Sequence, residues 1–301
     1  MLQTYNAKNA NLIVNVNGKL VQREQAAISP FDSSVQNGDA VWEGLRLYNG
    51  RIFRLSQHLG RLRKSAEMLQ YQNYPDDEYI IEQLRQTLAA NRMTDGVHIR
   101  LTISRGVKYT SGLDPRINTG GCSVIILPEF KPPVYDKTGI TLVTSSLRRP
   151  PANVLNQHIH SCNQLTSILA KLEANAVGAD DALMLDVDGY LAETNASHVF
   201  MVKAGSVETS TTRACPEGIT RSVVLELCEK NRIPSRVRNI TPDEIYAADE
   251  VFCTGTMGEL VPVKQIDSVS YNLHMPGEMC MRLSSLFHDL VQSREERTSV
   301  V

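Results

Sequence analysis

His158-Ile159-His160-Ser161-Cys162-Asn163 leads into Gln164-Leu165-Thr166-Ser167-Ile168-Leu169-Ala170-Lys171-Leu172-Glu173-Ala174, after the break Arg149-Pro150-Pro151. A helix is predicted over residues 161–177. If the residues before it stay extended, His158, His160 and Cys162 fall on one face, because side chains alternate along a strand. Two imidazoles and a thiol are zinc-ligand types, yet no fourth ligand lies in sequence range, so zinc is the lesser reading of this stretch.

Working outward, Asn11-Leu12-Ile13-Val14-Asn15-Val16-Asn17-Gly18-Lys19-Leu20-Val21 alternates toward Asn17-Gly18, a hairpin signal. From Leu55 the spacing becomes Leu55, Leu59, Leu62, Ala66 and Leu69, which predicts a helix, and Ile80, Ile81, Leu84 and Leu88 predict a second. Strands are expected at 97–104 and 123–127. Pro128-Glu129-Phe130-Lys131-Pro132-Pro133 lacks periodicity and reads as a linker. The expected division is a smaller α/β domain over 1–127, a linker over 128–137 and a larger, cofactor-binding domain over 138–301. In the larger domain, strands at 140–145, 182–185, 199–202, 207–209, 235–238 and 250–254 alternate with helices near 161–177, 218–231 and 275–292. The class is mixed α/β.

With 301 residues, 42% of them hydrophobic, and a formal charge of −2, the chain can bury a large core in two domains and carries no basic surface arguing for nucleic acid. No stretch reaches the roughly 18 apolar residues of a membrane span, and Met1 to Asn6 lack a signal-peptide pattern, so a cytoplasmic location is expected. The six cysteines are scattered without a Cys-x-x-Cys pair and read as reduced core residues.

Two turns suit an anion. Gly218-Ile219-Thr220-Arg221 follows Cys215-Pro216-Glu217 and opens a helix, where free N–H groups, the helix dipole and a hydroxyl converge. Thr254-Gly255-Thr256-Met257-Gly258 is a second glycine-rich turn. No Gly-x-Gly-x-x-Gly follows a strand, so a dinucleotide site has no support.

Together these motifs resemble the class IV aminotransferases, closest in pattern to the branched-chain enzymes. The family pattern Ile-Lys-Ser-x-Asn, followed by Leu-Ala-Lys-x-Glu-Ala, matches Ile159 to Asn163 and Leu169 to Ala174, with His160 at the lysine. The resemblance runs from about residue 11 to 265. It implies the two-domain fold of type IV pyridoxal-phosphate enzymes, as in D-amino-acid aminotransferases, a cofactor cleft between domains, and a homodimer acting on a small amino acid and a 2-oxo acid. In the family that lysine forms a Schiff base with pyridoxal 5'-phosphate and then shuttles the substrate proton. An imidazole accepts a proton but forms no such bond. Bound pyridoxal or pyridoxamine 5'-phosphate would therefore be non-covalent, with His160 as base. Lys171, eleven residues on and present in the family too, reads as a helix-surface residue.

By the same resemblance Arg61 grips the cofactor phosphate, Gly218, Ile219, Thr220, Gly255 and Thr256 surround it, and Glu193 lies beside the pyridine nitrogen. Asn37, Trp42, His98, Arg100, Gln164, Thr256 and Met257 are the implied substrate contacts. Branched-chain enzymes carry tyrosine, phenylalanine, tyrosine and tyrosine where this chain has Asn37, Trp42, His98 and Gln164. Those changes fit a weak or redirected transaminase, and equally a homologue that keeps the fold without the reaction.

Overall fold

The computed structural model describes residues 3–271, 276–293 and 297–299. It divides into two compact units, Leu2–Pro132 with Ile159–Asn163 and Val291–Val301, and Pro133–His158 with Gln164–Leu290.

The first unit carries β1 (Ile13–Val16), β2 (Lys19–Gln22), α1 (Ser33–Asn37), β3 (Ala40–Tyr48), β4 (Arg51–Phe53), α2 (Leu55–Met68), α3 (Asp77–Ala90), β5 (Val97–Ser104) and β6 (Ser123–Phe130). Asn17 and Gly18 both take positive φ, 52° and 78°, which closes the expected hairpin. The sheet runs β16 (Arg297–Ser299), β4, β3, β5, β6, β1, β2. Leu55, Leu59 and Leu62 of α2 and Ile80, Leu84 and Leu88 of α3 join Leu45, Leu47, Ile99 and Leu101 in one core. The apolar stripe read from spacing is the one buried.

The second unit carries β7 (Ile140–Arg149), α4 (Leu165–Ala176), β8 (Asp181–Asp186), β9 (Leu191–Thr194), β10 (His198–Lys203), β11 (Ser206–Thr209), α5 (Ile219–Lys230), β12 (Ser235–Val237), α6 (Pro242–Tyr246), β13 (Glu250–Gly255), β14 (Glu259–Ile266), β15 (Val269–Ser270) and α7 (Glu278–Gln292). Its strands follow the order β12, β11, β10, β13, β14, β7, β8, β9, with β15 on β14. The Glu250 carboxylate caps α7 by accepting from the amides of Met279 and Cys280, each at 3.0 Å. The expected start of that helix, residue 275, lies outside the described residues.

Three boundaries differ from expectation. Pro128, Glu129 and Phe130 belong to β6 rather than to a linker, paired with Ile99, His98 and Val97. Within β6, strand β1 pairs with Ile125 and Ile126, so the N–H that Pro128 lacks is not missed on that side. Helix α4 begins at Leu165, not at 161. Finally, Ile159–Asn163 groups with the first unit rather than with residues 138–301, because it pairs along β3: Trp42 N–H donates to His160 O at 3.0 Å and Cys162 N–H to Ala40 O at 2.7 Å. Among the described residues no helix is long and apolar enough to cross a membrane.

Candidate active site

Strand β3 brings Glu43 under α2, where its carboxylate is fully buried. An ionised carboxylate excluded from water needs cations and hydrogen bonds. Three basic side chains meet it. Arg61 gives two bonds, Nε to Oε1 at 2.8 Å and Nη2 to Oε2 at 2.7 Å, and His58 Nδ1 lies 2.6 Å from Oε2. His160 Nδ1 stands 3.5 Å from Oε1. Burial alone would raise the Glu43 pKa, but Arg61, His160 and His58 together hold it well below the usual carboxylate value. Arg61, expected at a cofactor phosphate, is thus found with two donors on Glu43, the fork geometry that guanidinium and carboxylate favour.

The His160 ring is fixed on several sides. Its Nδ1 lies 2.6 Å from the Trp42 carbonyl oxygen, its backbone N–H donates to Ser65 Oγ at 3.0 Å, and the ring stacks on the Trp42 indole at 4.5 Å between centroids. The Arg100 guanidinium covers the same indole, 4.0 Å from its centroid, and Trp42 Nε1–H donates to Ser161 O at 3.1 Å. Burial first, then Arg61, pushes the His160 pKa down, so its neutral form is favoured.

The zinc arrangement is not formed. His158 Nε2 sits 2.8 Å from Thr212 O, His160 turns to Trp42, and Cys162 Sγ lies 3.7 Å from Arg100 Nη2. Among the described residues no three His, Cys, Asp or Glu side chains are grouped to hold a metal.

Trp42, Gly44 and Arg46 of β3 pair in register with Thr102, Arg100 and His98 of β5, so these side chains share a sheet face. Among the described residues, neither ring nitrogen of His98 has a hydrogen-bond partner, and Arg46, 4% exposed, has Nε and Nη1 unbonded. Burial, then Lys131, Arg46 and Arg100, lower the His98 pKa to about 3. Asn37 ends α1 and accepts from the Lys108 ammonium through its side-chain oxygen.

In the second unit His198 ties the motifs together, and sequence reasoning missed it. It pairs across the sheet with Thr254. Its Nδ1 lies 4.0 Å from Glu193 Oε2, and its ring packs so closely on Gly218 that a Cβ there would overlap it. The turn at Gly218 to Thr220 therefore lies beside the end of β13, from which Gly255, Thr256 and Met257 continue. The available signal was a polar residue opening the apolar run His198-Val199-Phe200.

Glu193 is in β9, 5% exposed, with Arg149 Nη2 3.0 Å from Oε1. Gly218 caps α5 with no side-chain bond, Thr220 is buried behind it, and the buried Thr254 hydroxyl has no partner among the described residues. Uncapped amides with an unused hydroxyl suit a phosphate, and a buried carboxylate suits a protonated ring nitrogen. Gln164 is the residue before α4, and Met257 O accepts from Val134 N at 3.2 Å. Lys171 is not a plain surface residue: it is half-buried, donates to Asp180 O and lies 3.5 Å from the buried Asp181 carboxylate. A surface cavity of about 770 Å³, lined in part by Asn73, Tyr74, Tyr79 and Cys122, contains none of these residues.

A family model described as amino-transferase class IV matches residues 40–266. The chain is 47% identical over 284 residues to the branched-chain-amino-acid aminotransferase-like protein 2 of Arabidopsis thaliana, covering 94% of this chain and 51% of that protein. It spans about half the length of both Arabidopsis relatives of that type. With the branched-chain-amino-acid aminotransferase of Pseudomonas aeruginosa it shares 32% identity over 294 residues, 94% of each chain. A solved T.th. branched-chain amino acid aminotransferase with pyridoxamine 5'-phosphate superposes with a TM-score of 0.90 at 31% identity, covering 97% of this chain and 99% of that one. The chain belongs to the class IV aminotransferase family.

Proposed function

We propose that this chain binds pyridoxal or pyridoxamine 5'-phosphate non-covalently and is a branched-chain-like aminotransferase-family enzyme in which His160 stands at the lysine position. The observation that carries the reading is the convergence on His198: the uncapped start of α5, the turn after β13 and the Glu193 carboxylate all lie around one ring. The amides of Ile219 and Thr220, with Gly255 and Thr256, would hold the phosphate, and Glu193 would keep the pyridine nitrogen protonated.

When bound, the cofactor supplies an electron-withdrawing ring and an aldehyde or amine. The chain's own residues do the rest. His160, neutral and fixed by Trp42, takes and returns a proton. Arg100 and the Thr256 and Met257 amides are candidate contacts for a substrate carboxylate, and Asn37, Trp42, His98 and Gln164 shape what else is accepted. Without a covalent tether, transamination is slow or redirected. A homodimer in the cytoplasm completes the proposal.

Equilibrium dialysis against pyridoxamine 5'-phosphate tests it. Wild type should bind, and Gly218→Asp, which brings a side chain and a negative charge to the phosphate turn, should not. A folded wild-type protein that does not bind supports instead a homologue that keeps the fold without the reaction.

A further inference from the structure

A carbonyl oxygen only accepts hydrogen bonds. The 2.6 Å separation between His160 Nδ1 and Trp42 O therefore requires a proton on Nδ1. The second polar atom facing that nitrogen is Glu43 Oε1 at 3.5 Å, again an acceptor. Glu43 has no solvent access and is itself held by Arg61 and His58 from α2, while Ser65 of the same helix fixes the His160 backbone. One acidic group thus links the helix that anchors His160 to the ring nitrogen it faces.

We propose that Glu43 is a positioning residue for His160: with the Trp42 carbonyl it holds the imidazole as the Nδ1–H tautomer and leaves Nε2 as the nitrogen that takes a proton. The proposal rests on the reading of His160 as the proton-handling group. The carboxylate is needed because Arg61 is bonded to it. Without the negative charge, the positive guanidinium would act on Nδ1 with no carboxylate opposing it, and a cation there favours a bare lone pair over an N–H. Neutralising Glu43 should then shift the proton toward Nε2.

Nitrogen-15 NMR of protein labelled at histidine, without added cofactor, reads this directly, with the His160 signals identified by their loss in His160→Asn. Wild type should show a protonated Nδ1 and a bare Nε2. In Glu43→Gln the two signals should move toward each other as tautomers mix. His58→Gln, which keeps the carboxylate and Arg61, should leave them in place. A bare Nδ1 in wild type overturns the proposal, as does an unchanged tautomer in a folded Glu43→Gln, or an equal shift in His58→Gln. Should Glu43→Gln not fold, Glu43→Asp, which withdraws the carboxylate by one methylene, should show a smaller mixing, and an unchanged spectrum there overturns the proposal equally. A protein that shows this tautomer but fails to bind pyridoxamine 5'-phosphate refutes the function proposed above and leaves this inference standing.

Discussion

His160 and Trp42 hold each other three ways: Trp42 N–H donates to His160 O, His160 Nδ1–H donates to Trp42 O, and the two rings stack at an interplanar angle of 24°. Trp42 is the sole tryptophan, so its fluorescence reports on the imidazole, which quenches indole when protonated. Glu43 favours the charged form, while burial and Arg61 oppose it and leave the pKa depressed. Emission is expected to stay level as pH falls to about 6.5, the ordinary histidine value. It should drop only below that, and His160→Asn should remove the drop.

Glu43→Leu should destabilise the protein by about 3–5 kcal/mol, because it takes the buried carboxylate from the Arg61 guanidinium and the hydrogen-bond partner from His58 Nδ1. Urea unfolding followed by circular dichroism measures the difference. A loss below about 1 kcal/mol, the level of an exposed pair, would mean that the basic groups find water readily.

Gly218→Ala puts a methyl group into the His198 ring. Overpacking of this kind costs about 1–3 kcal/mol, and the accompanying shift of the α5 start should weaken phosphate binding. Double substitution with His198→Ala should recover part of the stability, since it removes the overlapped ring. Urea unfolding of the single and double variants checks both.

Much of the scaffold was legible because local chemistry and tertiary context agree there. Asn17-Gly18 could adopt positive φ at both positions, and the leucine spacing of α2 matched the face that is buried. The extension of β6 through Pro128 was hidden, since proline reads as a break until the neighbouring strand is known to stop short. Residues 161–163 read as the head of a helix because their partner, β3, is over a hundred positions away. The Glu43 cluster left a faint trace: His58, Arg61 and Ser65 lie three and four residues apart, next to the stripe of Leu55, Leu59 and Leu62. Polar groups there announce a buried partner. Which acid they meet depends on the register of β3 against β5, and that is not a local property.

His98 makes stability depend on acid. Its folded pKa, about 3, is below the ordinary histidine value of about 6.5. The unfolded chain therefore binds the proton first, and stability present above pH 6.5 is lost as pH falls toward 3. The slope from this residue approaches about 1.4 kcal/mol per pH unit in that window. His98→Tyr should show a flatter profile between pH 6 and 4 in urea titrations, and an identical profile would remove His98 as the source.

The most direct measurement is an absorbance spectrum of the purified protein with pyridoxal 5'-phosphate, followed by borohydride and intact mass, for wild type and His160→Lys. Wild type should bind the cofactor and release all of it on denaturation after borohydride. His160→Lys should retain it covalently, one per chain. Covalent retention by wild type would contradict the proposed role of His160, and so would a His160→Lys protein that binds the cofactor but is never fixed to it.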